Sequence, residues 1–134
     1  MPGFAAAALS ALALAACGEE ERFSNSPRPA PPLNVSAYIS PRAVSVSPPR
    51  FGAGLVVVTV TNQSAQSQEA TLEGGDTGEL AQSTGPINPG DTGQLKVRVR
   101  QGTYTLRTAD RGIDPAQFTV SGPRPSAQDE VLQP

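Results

Sequence analysis

A chain of 134 residues with a formal charge of −2, no histidine, no tryptophan and one cysteine has room for one modest domain and few kinds of chemistry. Without histidine the usual general base and the commonest metal ligand are missing, and a single cysteine closes no internal disulfide. With 13 glycines, 14 prolines and few aromatic residues, the composition favours a small β-rich domain over a helical bundle, and the near-neutral charge names no bulk electrostatic partner.

The chain opens on an apolar run, FAAAALSALALAA, over residues 4–16. Such a run is too short to span a bilayer as a helix and has the length of a signal-peptide core. It closes on Leu14-Ala15-Ala16-Cys17, which resembles the lipobox of bacterial lipoproteins. The resemblance implies that small residues at 15 and 16 admit the signal peptidase. The Cys17 thiol would accept a diacylglyceryl group and become the first residue of the mature chain. No Lys or Arg precedes the run, where a signal peptide ordinarily carries one. A lipoprotein cysteine bears at least two acyl chains, and each buried methylene contributes about 0.8 kcal/mol, so the anchor is expected to hold. Residues 1–16 are therefore expected as the signal peptide. The expected location is exported and lipid-anchored to the bacterial cell membrane, on its outer face or periplasmic side.

Residues 18–32, GEEERFSNSPRPAPP, show no hydrophobic period and end in proline. Together with Cys17 they form an expected tether, 17–32, reaching roughly 50 Å when fully extended. The folded domain is expected over 33–122, followed by a disordered tail, 123–134. Within the domain, period-2 runs alternate with turn signals. LNVSAYIS and AVSVS read as short strands interrupted at Pro41, and GLVVVTVTN, from Gly54 to Asn62, as a central strand. QEATLE follows, then a long loop from Gly74 to about Asp91, in which Pro89-Gly90 suits a type II turn. GQLKVRVR alternates, with Leu95, Val97 and Val99 on one face and Lys96, Arg98 and Arg100 on the other. TYTLRTA and QFTVS complete the set, and no helix is signalled. The expected class is all-β, a Greek-key sandwich.

VTVTNQSAQSQ, INPGDTGQLKVRV and GTYTLRT, in that order and spacing, resemble the cupredoxin pattern over roughly residues 44–120. An immunoglobulin-like sandwich is the alternative, since it shares some of these motifs. The resemblance implies an asparagine turn before a first copper-binding histidine and a Gly-Thr-Tyr strand ending at a ligand cysteine. Counting along this chain, the histidine position falls on Gln68, the cysteine position on Thr108, and Arg111 lies near the second histidine position. A blue-copper centre needs imidazole and thiolate. The expectation is thus a cupredoxin-like scaffold without its copper site and with no cofactor.

Other chemistry is thinly signalled. Glu69, Glu73, Asp76, Glu79 and Asp91 are candidate paired carboxylates, but a glycosidase site wants aromatic platforms, and this chain has no Trp and only six Phe and Tyr. Asp76, Glu79 and Asp91 are oxygen donors for calcium, at a spacing that fits no EF-hand. No catalytic residue and no metal site are therefore expected. The clearest surface feature is the stripe Lys96, Arg98, Arg100, joined by Arg107 from the expected neighbouring strand. It reads as a docking patch for anionic lipid, envelope polymer or an acidic protein, or else as cross-strand pairing with Glu69, Glu73 or other acids. Nucleic acid is not an expected partner, because no aromatic residues interleave the basic ones. Asn34-Val35-Ser36 and Asn62-Gln63-Ser64 match the glycosylation sequon by chance.

The function expected is a monomeric, non-catalytic envelope lipoprotein, held to the membrane by Cys17 and binding protein or polymer. The alternative is an accessory factor in envelope metal or redox traffic without its own copper centre.

Overall fold

The computed structural model describes Gly3 and residues 28–75 and 80–126. Cys17, Asp76 and Glu79, and with them most of the signal peptide, tether and tail, lie outside the described residues.

Eight strands and no helix make up the described residues: β1 Leu33–Ile39, β2 Val44–Ser47, β3 Arg50–Asn62, β4 Gln68–Gly74, β5 Leu80–Ile87, β6 Thr92–Val99, β7 Gly102–Arg107 and β8 Ala116–Pro123. β3 is central, as its unbroken Val-rich run predicts, and it belongs to two sheets. Its C-terminal part pairs in parallel with β1 and antiparallel with β6, giving a first sheet in the order β2-β1-β3-β6. Its first residues, Arg50 to Ala53, pair instead with β8. That second sheet runs β8-β7-β4-β5. The change of sheet falls at a register shift between Gly52 and Ala53, beside Gly54 at φ 139°. A bulge next to a glycine lets one strand turn the corner between two layers.

Alternation then fills the space between the sheets. Val35, Ala37, Ile39, Val56, Val58, Val60, Leu95, Val97 and Val99 face inward from the first sheet. Ala70, Leu72, Tyr104, Leu106, Phe118 and Val120 meet them from the second. Phe118 stacks between Phe51 and Tyr104, at centroid distances of 5.3 and 5.5 Å, so the aromatic residues gather at one end of the core. The Tyr104 hydroxyl donates to the Arg100 carbonyl at 2.9 Å and accepts from the Arg100 N–H at 3.0 Å.

Three expectations on boundaries are corrected. β5 occupies much of the segment expected as a loop from Gly74 to Asp91. It is an edge strand that pairs only with β4, so both faces meet solvent over most of its length and no apolar alternation betrays it. β3 starts at Arg50, four residues before the expected strand. β8 runs to Pro123, past the expected end at 122, and Arg124 beyond it is held in place. The Arg124 guanidinium donates to the carbonyls of Ala53 at 3.3 Å, Leu55 at 2.6 Å and Pro31 at 3.0 Å. Gly52 and Gly54 make room for it: a Cβ at either would come within 2.5 and 2.7 Å of the Arg124 side chain. The last residues of the expected tether and the first of the expected tail are thereby tied to the sandwich at one point.

Candidate functional site

At the end of the sandwich where β3 stops, the chain builds a polar knot around Asn62, which is fully buried. Its Nδ2 donates to the carbonyls of Gln66 at 2.7 Å and Ile87 at 2.8 Å. Its Oδ1 accepts the Ser64 N–H at 2.9 Å and the Ser64 hydroxyl at 2.7 Å. An asparagine amide offers two donor and two acceptor positions, and all are used. The Asn88–Asp91 turn docks on the same residue: Asn62 N–H donates to the Asp91 carbonyl, and Gly90 N–H to the Asn62 carbonyl. That turn closes with Asp91 N–H on the Asn88 carbonyl at 3.0 Å and has Gly90 at φ 85°, the type II geometry expected from Pro89-Gly90.

Beside the knot, Gln68 at the start of β4 and Thr108 just after β7 are both buried, 8% and 6% exposed. β4 and β7 pair with Thr71 opposite Arg107, which brings both residues to one end of the second sheet. A depression of about 190 Å³ opens there, lined by Pro41, Ser64, Gln66, Gln68, Asp110 and Ile113. The loop 108–115 is fastened over it through Val44 N–H to the Asp114 carbonyl, 2.7 Å, and Asp114 N–H to the Arg42 carbonyl, 2.9 Å. Arg111 in this loop is exposed, whereas Ile113 two residues on is buried.

The carboxylates expected as candidates do not converge. Glu69 accepts a hydrogen bond from Ser83 on β5, and Asp91 is exposed at the tight turn. Glu73 is paired with Arg107: Nε to Oε2 at 3.0 Å and Nη2 to Oε1 at 2.5 Å, both side chains roughly half exposed. The hydrogen bond from Arg107, with its positive charge, holds the Glu73 carboxyl below the usual carboxylate range, and the same bond raises Arg107. No group of three or more Asp, Glu, His or Cys forms a metal-binding cluster among the described residues.

The basic stripe is where alternation predicts, with one correction. Lys96, Arg98 and Arg100 are all exposed while Leu95, Val97 and Val99 are buried. Arg107 does not join them: β6 has β3 as its neighbour, and β7 belongs to the second sheet. For the same reason Glu69 and Glu73 cannot pair with the stripe, and among the described residues Lys96, Arg98 and Arg100 make no salt bridge. Next to the stripe lies a groove of about 380 Å³, lined by Gly54, Leu55, Arg98, Arg124 and the segment Arg28–Ala30. Sequence reasoning missed this groove and the Arg124 clasp; the spaced glycines 52 and 54 were the one signal of a close approach.

No protein-family model matches the chain, and comparison with curated proteins finds no significant relative. Among solved structures it is similar to auracyanin B, with a TM-score of 0.52 and 20% identity over 70% of this chain and 91% of that one. It is likewise similar to auracyanin A, described as a "blue" copper protein from the green thermophilic photosynthetic bacterium Chloroflexus aurantiacus. There the TM-score is 0.50 and the identity 15%, over 68% of this chain and all of the other. The fold is cupredoxin-like.

Identity at this level speaks for the fold alone, so the metal site of a cupredoxin-like domain has to be tested on this chain's own residues. Gln68 and Thr108, the positions that sequence spacing assigns to histidine and cysteine, do lie at one end of the sandwich. They offer an amide and a hydroxyl, and around them stand the Ser64 hydroxyl, already committed to Asn62, the Asp110 carboxylate and the Ile113 hydrocarbon. Neither imidazole nor thiolate is present, so the donor set does not fit blue copper.

Proposed function

We propose that this chain is a non-catalytic lipoprotein of the cell envelope, anchored through Cys17, whose cupredoxin-like domain binds an anionic envelope component. One observation carries the binding half of this reading. The first sheet presents three adjacent cations, Lys96, Arg98 and Arg100, that no acid of the described residues neutralises. A cross-strand acid can balance a cation on a sheet surface, as Glu73 does for Arg107, and none stands opposite these three. The anchoring half rests on the LAAC sequence at residues 14–17, which lies outside the described residues.

Two measurements test the halves separately. Fractionation of cells after a salt wash should find the wild-type chain with membranes and the Cys17→Ser chain released. Persistence of Cys17→Ser in the membrane fraction would place the anchor elsewhere. Extracted in mild detergent, the wild type should co-purify with an anionic component that the Lys96→Glu, Arg98→Glu, Arg100→Glu variant loses at unchanged melting temperature. Equal recovery by both would rule out the stripe as the binding surface.

A further inference from the structure

We infer that the outer face of the first sheet lies flat against a membrane leaflet and that its ligand is the anionic phospholipid headgroup. The inference rests on the anchored reading above and names the component that the stripe binds.

The outward positions of β2, β1, β3 and β6 contain no Asp or Glu. Three successive outward positions along β6 are cationic, from Lys96 through Arg98 to Arg100 just past the strand. The five acids of the described residues, Glu69, Glu73, Asp91, Asp110 and Asp114, fall on the second sheet or on the loops at the Asn62 end. A face with one sign of charge suits an extended anionic plane. The same face carries Tyr38, 44% exposed and the one large hydrophobic residue so placed among the described residues, along with the half-buried Leu55 and Val57. Amphipathic aromatic rings and basic residues are the side chains that membrane interfaces favour.

The chain's path selects lipid over a soluble acidic partner. Arg28–Ala30, the described segment that leads back toward Cys17, lines the groove on this face together with Arg98. From Cys17 to Arg28 the chain can span at most roughly 36 Å, at about 3.3 Å per residue. An anchor at Cys17 therefore keeps this face within roughly 36 Å of the headgroups, and so short a tether makes the local concentration of ligand high. Each Lys or Arg near an anionic surface raises partitioning about fivefold, an attraction that fades within a Debye length of about 8 Å at physiological salt.

The test uses residues 17–134 with Cys17→Ser, which keeps every strand and carries no acyl chain. Sedimentation with phosphatidylglycerol–phosphatidylcholine vesicles is compared with phosphatidylcholine alone. Binding is expected to the anionic vesicles only and to fall as salt rises. Replacing Lys96, Arg98 and Arg100 with Gln should lower it on the order of a hundredfold at unchanged melting temperature. Arg107→Gln, on the opposite sheet, should leave it unchanged. Equal binding to neutral vesicles, no binding to either, or an equal loss in the Arg107 variant would each overturn the inference. Because the protein tested is unacylated, this result stands or falls independently of whether Cys17 is lipidated.

Discussion

Asn62 shows how much of this fold hangs on one side chain. It is fully buried, ends the central strand and satisfies two carbonyls, an N–H and a hydroxyl from the loop that follows it and the end of β5. Asn62→Ala would leave the carbonyls of Gln66 and Ile87 and the N–H of Ser64 without this partner, and each unmet buried group costs about 1–3 kcal/mol. The expected loss is about 2–4 kcal/mol in denaturant unfolding, with little change in slope. An exposed pair behaves differently. Glu73 has its folded-state pKa lowered by the Arg107 hydrogen bond, so its stabilisation is full above the unfolded value near 4.5 and is lost as pH falls through the folded one. Arg107, raised, would lose its share only in strong alkali. Wild type should therefore exceed Glu73→Gln in stability slightly at neutral pH, the gap closing in acid; thermal melts across an acid titration check this. A gap that persists at the lowest pH would mean the ion pair is not its source.

Among the elements, β3 sets the architecture and β6 sets the surface. β3 joins the two layers by bending at the Gly52–Gly54 corner, and Arg124 lies across that corner with its guanidinium on three carbonyls. Arg124→Ala is expected to cost about 1–3 kcal/mol and to increase amide exchange at the corner of β3. Gly54→Ala should cost more in the presence of Arg124 than in its absence, because part of its penalty is the 2.7 Å approach of that side chain. Additive effects of the two substitutions would show that the clasp and the corner are independent. The alternation of β6 is legible in the sequence, since a strand with one buried face writes its orientation into the order of its residues. β5 is not legible there. Its residues, Leu80 to Ile87, include Gly85 and Pro86 and all but Ile87 are at least partly exposed, so pairing with β4 is what makes them a strand.

Across the whole molecule, the formal charge of −2 conceals a separation. The described residues hold nine of the ten bases and only five of the twelve acids, so the cupredoxin-like domain is basic although the chain as a whole is not. Within it the cations of β6 stand alone on one sheet while Arg107, on the other, is neutralised by Glu73. That division gives the proposed lipid-facing surface its direction.

By itself the sequence determined the features that local chemistry dictates. The period-2 runs specified strands and their buried faces, Pro89-Gly90 specified a type II turn, and the lack of histidine and of any thiol but Cys17 left no blue-copper donors. Which strands are neighbours was decided by tertiary structure alone, because pairing joins residues far apart in the chain and leaves no periodic trace. That choice put Arg107 with Glu73 instead of the stripe and drew β5 out of an expected loop. It also laid the segment leading to Cys17 along the groove that Arg98 lines.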